Sequence, residues 1–320
     1  MKPQKISYRA IPRCINLAKV VFSYVISSVC HRYISYGKPV TASIEPANYC
    51  NLRCRQCPTG LGNINKSKQQ LKLEDFKLII DALLPEVMYL NLYFQGEPMI
   101  NQSLPDMVAY ASQHGIATCI STNGHFLSKD TASRLKRAGL DKLIVSLDGA
   151  DSESYNQYRQ GGSFETVLQG IRNAVDAGLR VELQCLLLST TENRLDEIRK
   201  LGKELGVSRI KFKTAQFYNI DPLMPANKRF SRYKEGSIEP KKPLRNRCWR
   251  IISGIVINTD GEVLPCCYDK ACIHIFGNLL KQGAKKDALC GILHSQKASD
   301  FKNKVFSSRR SIEICTNCTE

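Results

Sequence analysis

Short apolar segments alternate with amphipathic stretches between residues 41 and 213. Four of the amphipathic stretches end at a glycine that is followed at once by the next apolar segment. Strands separated by helices predict a parallel sheet covered by helices. The predicted strands are residues 42–44, 87–93, 117–120, 142–147, 181–186 and 209–212, and the glycines are Gly115, Gly139, Gly178 and Gly206.

This pattern predicts an α/β fold in which residues 41–220 form a partial (β/α)6 barrel. A flat doubly wound sheet is the alternative, because one sequence does not show the order of the strands. In both folds the loops at the carboxyl ends of the strands form the functional site.

The alternation stops near Phe217, and two further regions follow. Residues 221–247 are rich in proline and basic residues, which is typical of a linker or an irregular arm over the barrel mouth. Residues 248–320 contain cysteines and two short strands around an Asn258-Thr259-Asp260-Gly261 turn. We expect a small cysteine-rich extension built on a β-hairpin.

Residues 1–40 form a basic N-terminal segment with seven Lys or Arg and no acidic residue. Its apolar run ends at Ser27, short of the roughly 18 residues that a membrane span needs, so we expect no span. Apolar residues at near-helical spacing predict an amphipathic helix, either on a membrane surface or packed on the main domain. These residues are Ile11, Ile15, Val21, Val25 and Val29.

Composition narrows the class of protein. The 320 residues are 43% hydrophobic, which excludes a disordered or fibrous chain and suits one large domain with an appendage. A net charge of +17 favours nucleic acid, phospholipid or an acidic protein as partner, or reflects a solvated basic surface. Several of the 14 cysteines cluster at short spacings, which favours metal ligation in the reducing cytoplasm over disulfides.

Three cysteines follow the first predicted strand closely: Cys50, Cys54 and Cys57. A loop of this spacing can hold three thiolates around one cluster. A four-iron cluster ordinarily takes four cysteines, so three leave one iron open to a cofactor or substrate. A zinc knuckle completed by a distant residue and a set of plain buried thiols are the alternatives.

Four further segments make the chain resemble the radical S-adenosylmethionine (SAM) enzymes from about residue 41 to the C-terminus. Gln95-Gly96-Glu97-Pro98 is similar to the family's Gly-Gly-Glu segment, which contacts the methionine amino group. Asn123 and Ser146 end the third and fourth strands, where the family contacts the ribose. Arg159 matches an arginine near the methionine carboxylate.

Glu97 has an alternative interpretation, and Gln56 departs from the family pattern. Glu97 is equally compatible with a structural carboxylate at a strand end. The residue before the third cysteine is usually aromatic in the family and packs on the adenine, whereas this chain has Gln56. We therefore expect a different adenine contact, such as a hydrogen bond from the amide.

The resemblance implies a [4Fe-4S] cluster whose open iron chelates S-adenosylmethionine. One electron, from a donor such as a flavodoxin or ferredoxin, then releases a 5′-deoxyadenosyl radical that takes hydrogen from a substrate. The expected substrate is a peptide, a protein or a small metabolite.

A second cysteine group resembles the SPASM or shorter "twitch" extension of these enzymes. Its expected ligands hold an auxiliary [4Fe-4S] cluster, with zinc as the alternative, and Cys266 is preferred to Cys267 because it follows a proline as in the family. Asp269 suits a turn better than a catalytic base. The expected ligands are Cys248, Cys266, Cys315 and Cys318, and the expected packed thiols are Cys14, Cys30, Cys119 and Cys185.

Three functions compete at this point. The first is a cytoplasmic oxidoreductase, peripheral to the membrane if the N-terminal helix binds lipid. The second is an RNA-modifying radical enzyme, although the sequence shows no added RNA-binding module and we do not expect nucleic acid as a partner. The third is a non-enzymatic iron-sulfur protein that transfers electrons.

Overall fold

A computed structural model describes residues 7–62 and 67–319; residues 1–6 of the N-terminal segment and Glu320 of the extension lie outside the described residues. The strands are β1 Thr41–Ile44, β2 Tyr89–Asn91, β3 Ala117–Thr122, β4 Lys142–Ser146, β5 Val181–Leu187, β6 Arg209–Thr214, β7 Gly254–Ile257, β8 Glu262–Leu264 and β9 Gly277–Asn278. The helices are α1 Ser7–Cys30, α2 Leu73–Leu83, α3 Leu104–Gln113, α4 Lys129–Ala138, α5 Ser152–Tyr158, α6 Phe164–Asp176, α7 Leu195–Glu204, α8 Trp249–Ser253, α9 Lys286–Leu293, α10 Gln296–Ser307 and α11 Glu313–Thr316.

The strands form one sheet in the order β6-β5-β4-β3-β2-β1-β7-β8-β9. β1 to β6 are parallel neighbours in sequence order. A doubly wound sheet would reverse this order at a switch point, so the sequential order confirms the partial barrel. The predicted glycines close the helices that precede strands; Gly139, for example, ends α4 with a φ of 87°.

The two faces of the barrel strands differ in chemistry. Leu143 and Val145 of β4 are fully buried beneath the helices as part of the main core. Lys142 and Ser146 lie on the other face and are only half-buried. Because side chains alternate along a strand, the inner face of the barrel is available to polar residues.

The cysteine-rich extension continues the barrel sheet. β7 runs parallel to β1, with Ala42 beside Ile255 and Ile44 beside Ile257. The predicted hairpin is confirmed, since Val256 pairs with Leu264 in the antiparallel β7–β8 ladder. Residues 221–247, which the sequence assigned to a linker or an irregular arm, contain no helix and no named strand.

α1 packs across the end of the barrel where the strands begin. The buried guanidinium of Arg13 donates to the carbonyl oxygens of Pro85 (2.9 Å), His114 (3.1 Å) and Gly115 (2.7 Å), which precede β2 and β3. Asn16 donates to the Lys38 carbonyl oxygen at 3.0 Å. The helix is therefore held to the domain along one polar face.

The opposite face of α1 is apolar and exposed. By length and composition alone, Ala10–Cys30 is sufficient to cross a membrane, so the expectation that the apolar stretch is too short was wrong. Cys14 and Cys30 are exposed on this helix, which corrects their prediction as packed thiols, whereas Cys119 and Cys185 are buried as expected. The exposed apolar side chains are Ile11, Ile15, Val21, Phe22, Val25 and Val29.

The burial of Lys302 in α10 makes the free energy of unfolding depend on pH. Burial lowers its pKa from 10.5 to about 8. Between these values the unfolded chain keeps a proton that the folded chain has released, so this contribution to stability rises with pH. We expect the stability of the wild type relative to Lys302→Met to rise by about 3 kcal/mol from pH 7.5 to 10.5. Urea unfolding of both proteins across this range tests it; parallel pH curves would contradict it.

Candidate functional site

The loop after β1 presents three cysteines at the carboxyl end of the sheet. Cys54 is buried, while Cys50 and Cys57 are half-buried. The Cys50 sulfur lies 3.4 Å from the Leu52 backbone nitrogen and 3.6 Å from Asn123 Nδ2, and the Cys54 sulfur lies 3.6 Å from Arg159 Nη1. Donors directed at sulfur suit thiolates that are also ligands, because they offset negative charge.

The surroundings of Cys50 and Cys54 favour protonated thiols in the absence of a metal. Burial raises the pKa of Cys50 to about 11, with Glu97 and the other two cysteines adding to the shift. Burial also raises the pKa of Cys54, against the opposing charge of Arg159. Ligation requires thiolates, so loading this loop with a cluster releases protons.

Within residues 7–62 and 67–319, no three His, Cys, Asp or Glu side chains are gathered as for a single metal ion. A four-iron cluster has a different requirement, since each thiolate binds its own iron atom. The donor set of the loop, three cysteines with N–H groups directed at two of the sulfurs, fits such a cluster chemically.

Gly96 and Glu97 connect the end of β2 to the cysteine loop. Gly96 has a φ of 62°, and a Cβ atom there would lie 2.3 Å from the Ala47 carbonyl oxygen. The Glu97 nitrogen donates to the Tyr49 carbonyl oxygen at 2.9 Å, directly before Cys50. The backbone of this segment therefore fixes where the loop begins.

The Glu97 carboxylate is buried, and most of its hydrogen-bonding capacity is taken up by donors within the protein. Oε1 accepts from the Met99 nitrogen (3.0 Å) and the Thr122 hydroxyl (2.7 Å), and Oε2 accepts from the Asn123 nitrogen (2.8 Å). Burial raises its pKa, and these hydrogen bonds oppose the rise. The structural role that the sequence left open is present, and Oε2 keeps capacity for one further donor.

Asn123 and Ser146 end β3 and β4 at the same edge of the sheet. The Asn123 amide donates to Asn51 Oδ1 at 2.8 Å and accepts from the His125 nitrogen at 3.1 Å, so it links β3 to the cysteine loop. Ser146 is half-buried beside Gln184 of β5. Asn123 is thus hydrogen-bonded to the loop, whereas no hydrogen bond between Ser146 and the loop is present among the described residues.

Arg159 is half-buried beside the loop in an ion pair with Asp148. Its Nε lies 2.6 Å and its Nη2 2.5 Å from Asp148 Oδ2. Burial acts to lower the pKa of Arg159, but Asp148 and Cys54 raise it well above its usual range. A fixed positive charge thus stands within reach of Cys54 and of any anion bound there.

Gln56 does not have the role that the sequence suggested. Its amide nitrogen donates to Asn219 Oδ1 (3.0 Å) and Asp221 Oδ2 (2.8 Å), and its oxygen accepts from the Tyr218 nitrogen (3.2 Å). Both amide hydrogens are engaged, so the expected hydrogen bond to adenine is corrected to an anchor between the cysteine loop and the segment after β6. Sequence reasoning missed Asp221, which also pairs with Arg55 at 2.9 Å.

The second cysteine group converges on one small cavity. Its lining includes all four predicted ligands, and Cys267 is not among the lining residues. Cys267 instead accepts from Arg250 Nη1 at 2.9 Å. The structure thus brings together Cys248, Cys266, Cys315 and Cys318.

Arg309 is a further residue of this cavity that the sequence did not reveal. It is 1% exposed, and its Nη2 lies 3.3 Å from the Cys318 sulfur. Burial acts to lower its pKa, but Cys248, Cys315 and Cys318 outweigh burial and raise the pKa above its usual value. A buried cation beside four sulfurs offsets the negative charge that a thiolate-ligated cluster brings.

Two other contacts shape the surroundings of this cavity. The Tyr233 hydroxyl donates to Asn317 Oδ1 at 2.8 Å, which joins the irregular arm to the loop between Cys315 and Cys318. Asp269 is fully buried and accepts from the nitrogens of Ile273 and His274, both at 2.9 Å. Asp269 is therefore the turn carboxylate that the sequence favoured.

Comparison with known proteins agrees with this geometry. Residues 44–207 match the model of the radical SAM superfamily, and residues 248–319 match an iron-sulfur cluster-binding domain, SPASM. The chain is 32% identical over 164 residues to the Fe-coproporphyrin III synthase of Methanosarcina barkeri, covering 51% of this chain and 41% of that protein. It is 31% identical to the probable GTP 3′,8-cyclase of Methanococcus maripaludis, and the match covers 69% of this chain and 76% of that protein.

The fold is shared with solved structures. The crystal structure of Streptococcus suis SuiB bound to S-adenosylmethionine superposes with a TM-score of 0.66 at 16% identity, covering 87% of this chain and 71% of that chain. Membership of this superfamily and the SPASM match imply a [4Fe-4S] cluster, S-adenosylmethionine and auxiliary iron-sulfur clusters as cofactors. The chain belongs to the radical SAM superfamily of enzymes and carries a C-terminal SPASM domain.

Proposed function

We propose that this enzyme is an oxidoreductase that removes hydrogen from a peptide, a protein or a small metabolite. The observation that carries the proposal is the pair of cysteine sites on one sheet. The first follows β1 at its carboxyl end, and the second is built from Cys248, which precedes the adjacent β7, together with residues that follow β8. An enzyme with a radical site and an auxiliary site can use the latter to accept an electron, so that the net reaction is an oxidation.

The residues of the first site have distinct proposed roles. Cys50, Cys54 and Cys57 hold the cluster, and the donors from Asn123 and Arg159 orient and stabilise the thiolates of Cys50 and Cys54. Gly96 and Glu97 set the position of the loop and offer backbone and carboxylate acceptors to the methionine amino group. The loaded site supplies reductive cleavage of S-adenosylmethionine and hence a hydrogen-abstracting radical.

The auxiliary site has four proposed ligands and a buried counter-charge. Arg309 lies against Cys318 and donates to the Arg247 carbonyl oxygen at 2.6 Å, which holds the guanidinium in place. Its role is to make a negatively charged cluster tolerable in an apolar cavity. We further propose that a flavodoxin or ferredoxin supplies the electrons, in keeping with the net charge of +17.

Anaerobic purification followed by iron and sulfide counting tests the proposal. The protein is then reduced in the presence of S-adenosylmethionine and assayed for 5′-deoxyadenosine. We expect two four-iron clusters per chain and formation of 5′-deoxyadenosine by the wild type. Zinc in place of iron, or no cofactor cleavage by the iron-loaded protein, would overturn the proposal.

We also propose that α1 binds the surface of anionic membranes through its apolar outer face. Phe22 and Val25 are 55% and 52% exposed there, and the basic N-terminal segment complements a negative lipid surface. The double variant Phe22→Ser/Val25→Ser is expected to bind about tenfold more weakly to vesicles containing anionic phospholipid, because it removes apolar burial. Flotation of vesicles with bound protein measures this.

A matched control is available on the main domain. Leu78 of α2 is 47% exposed and lies outside the α1 stripe. Leu78→Ser should bind vesicles as the wild type does. Equal binding by the wild type and the α1 variant would end the membrane proposal.

A further inference from the structure

The inner face of the barrel carries an excess of positive charge. On β6, Lys211 and Lys213 alternate with Ile210 and Phe212, and Ile210 packs against the main core. The two lysines therefore lie on the face opposite the core, where Lys211 is beside Gln184 and Lys213 is beside Leu186 of β5. In the described part of the chain, neither lysine forms a salt bridge or a hydrogen bond through its side chain.

The one carboxylate close to these lysines on β5 is already paired. Glu182 Oε2 lies 2.9 Å from Lys142 Nζ, and the Glu182 side chain is 8% exposed. Lys142 belongs to the same inner face, beside Cys119 of β3. Because Glu182 pairs with Lys142, no carboxylate within residues 7–62 and 67–319 forms a salt bridge with Lys211 or Lys213.

Arg250 brings another cation to the same space from α8. It lies two residues after Cys248 and donates to Cys267, the neighbour of Cys266. Burial lowers the pKa of Lys213, and the charges of Lys211, Arg250 and Lys142 lower it further, with Glu182 opposing. These groups thus share one electrostatic environment.

This environment extends towards the radical site. Tyr93 lies three residues before Gly96, and burial raises its pKa; Cys119, Cys267 and Glu182 raise it further, while Arg250 opposes. Strand geometry places Lys211 and Lys213 on the inner face of the barrel, whose carboxyl end carries the Cys50 loop, and Arg250 lies two residues after Cys248.

We infer that the barrel binds a substrate through an anionic group, a carboxylate or a phosphate, held by Lys211 and Lys213 with Arg250 nearby. The inference rests on the proposed function, since it names the substrate class of that site. Both lysines are exposed and therefore hydrated when no ligand is bound. An anionic group would give them charge-assisted hydrogen bonds that a neutral substrate cannot supply. Lys142 stays with Glu182 and sets the boundary of the anion site.

Equilibrium binding to the cluster-loaded protein tests this inference. Titration calorimetry with pyrophosphate and, separately, with citrate distinguishes phosphate from carboxylate as the preferred group. We expect at least one probe to bind the wild type, and Lys211→Gln/Lys213→Gln to bind that probe at least tenfold more weakly. The charge-preserving Lys211→Arg/Lys213→Arg should stay within about threefold of the wild type.

Lys281→Gln/Lys297→Gln is the matched control, because it removes the same charge from two exposed positions of the extension. It should bind as the wild type does. Failure of both probes to bind the wild type, an equal loss in the control, or an equal loss in the arginine variant would overturn the inference. Binding needs no turnover, so such a failure with 5′-deoxyadenosine still formed by the wild type refutes this inference alone.

Discussion

Replacing Cys50, Cys54 and Cys57 together by alanine is expected to lower 5′-deoxyadenosine formation by at least a thousandfold, to the background of the assay. The three sulfurs are the proposed ligands of the first site, and removing them takes away every thiolate that the loop supplies while the donors from Asn123 and Arg159 remain. No anionic cluster can be retained there without its thiolates. Iron counting should show the loss of about four iron atoms per chain, with the auxiliary iron retained.

Two other variants make this result specific. Cys315→Ala/Cys318→Ala should spare part of the cofactor cleavage but lose substrate turnover, because the auxiliary cavity is separate from the first loop. Cys30→Ala, at an exposed position that ends α1, should leave both unchanged. Full cofactor cleavage by the triple variant would refute the assignment of the first loop.

Gly96→Ala is expected to be the most damaging single substitution outside the cysteines. The added Cβ would lie 2.3 Å from the Ala47 carbonyl oxygen and 2.8 Å from the Tyr49 nitrogen, and both are backbone atoms that cannot rotate away. The backbone next to Cys50 must therefore move, or the protein must unfold. We expect a loss of stability on the order of 3 kcal/mol or more, together with incomplete cluster loading. Urea unfolding and iron counting measure the two effects.

Gly236→Ala is a control that distinguishes the effect of steric crowding at Gly96 from the effect of backbone strain. Its φ of 64° is close to the 62° of Gly96, but a Cβ at Gly236 meets no atom within 4 Å. Gly236→Ala should therefore cost only the left-handed backbone term, about 1 kcal/mol, and leave cluster loading intact. If both variants lost stability equally, the close approach at Gly96 would have no special effect.

The fold was predictable because its signals are local. Glycines at helix ends and apolar runs of strand length gave the six barrel strands, and the Asn258–Gly261 turn gave the hairpin. The pairing of β7 with β1 was not predictable, since it joins segments that are more than two hundred residues apart. The hydrophobic pattern of a sequence shows where strands are, but it does not show which strands are neighbours in the sheet.

The parts of the site that depend on a sequence motif were predictable. The parts that depend on contacts between distant residues were not. The spacing of the cysteines identified both cysteine groups, and Pro265 pointed to Cys266. Nothing in the sequence shows that Gln56 is held by Asp221, or that Arg309 is buried against Cys318. Amides and arginines occur throughout a basic chain, and only the folded structure shows which of them have exchanged water for a buried partner.

Hydrogen bonding of β1 directly to β7 bears on the proposed transfer of an electron between the two cysteine sites. The strand leading into the Cys50 loop and the strand that follows Cys248 are adjacent members of one ladder, with no hinge between them. The gap that an electron must tunnel across is therefore set by the covalent and hydrogen-bonded frame. Substrate occupancy should alter the driving force for that transfer and leave its length constant.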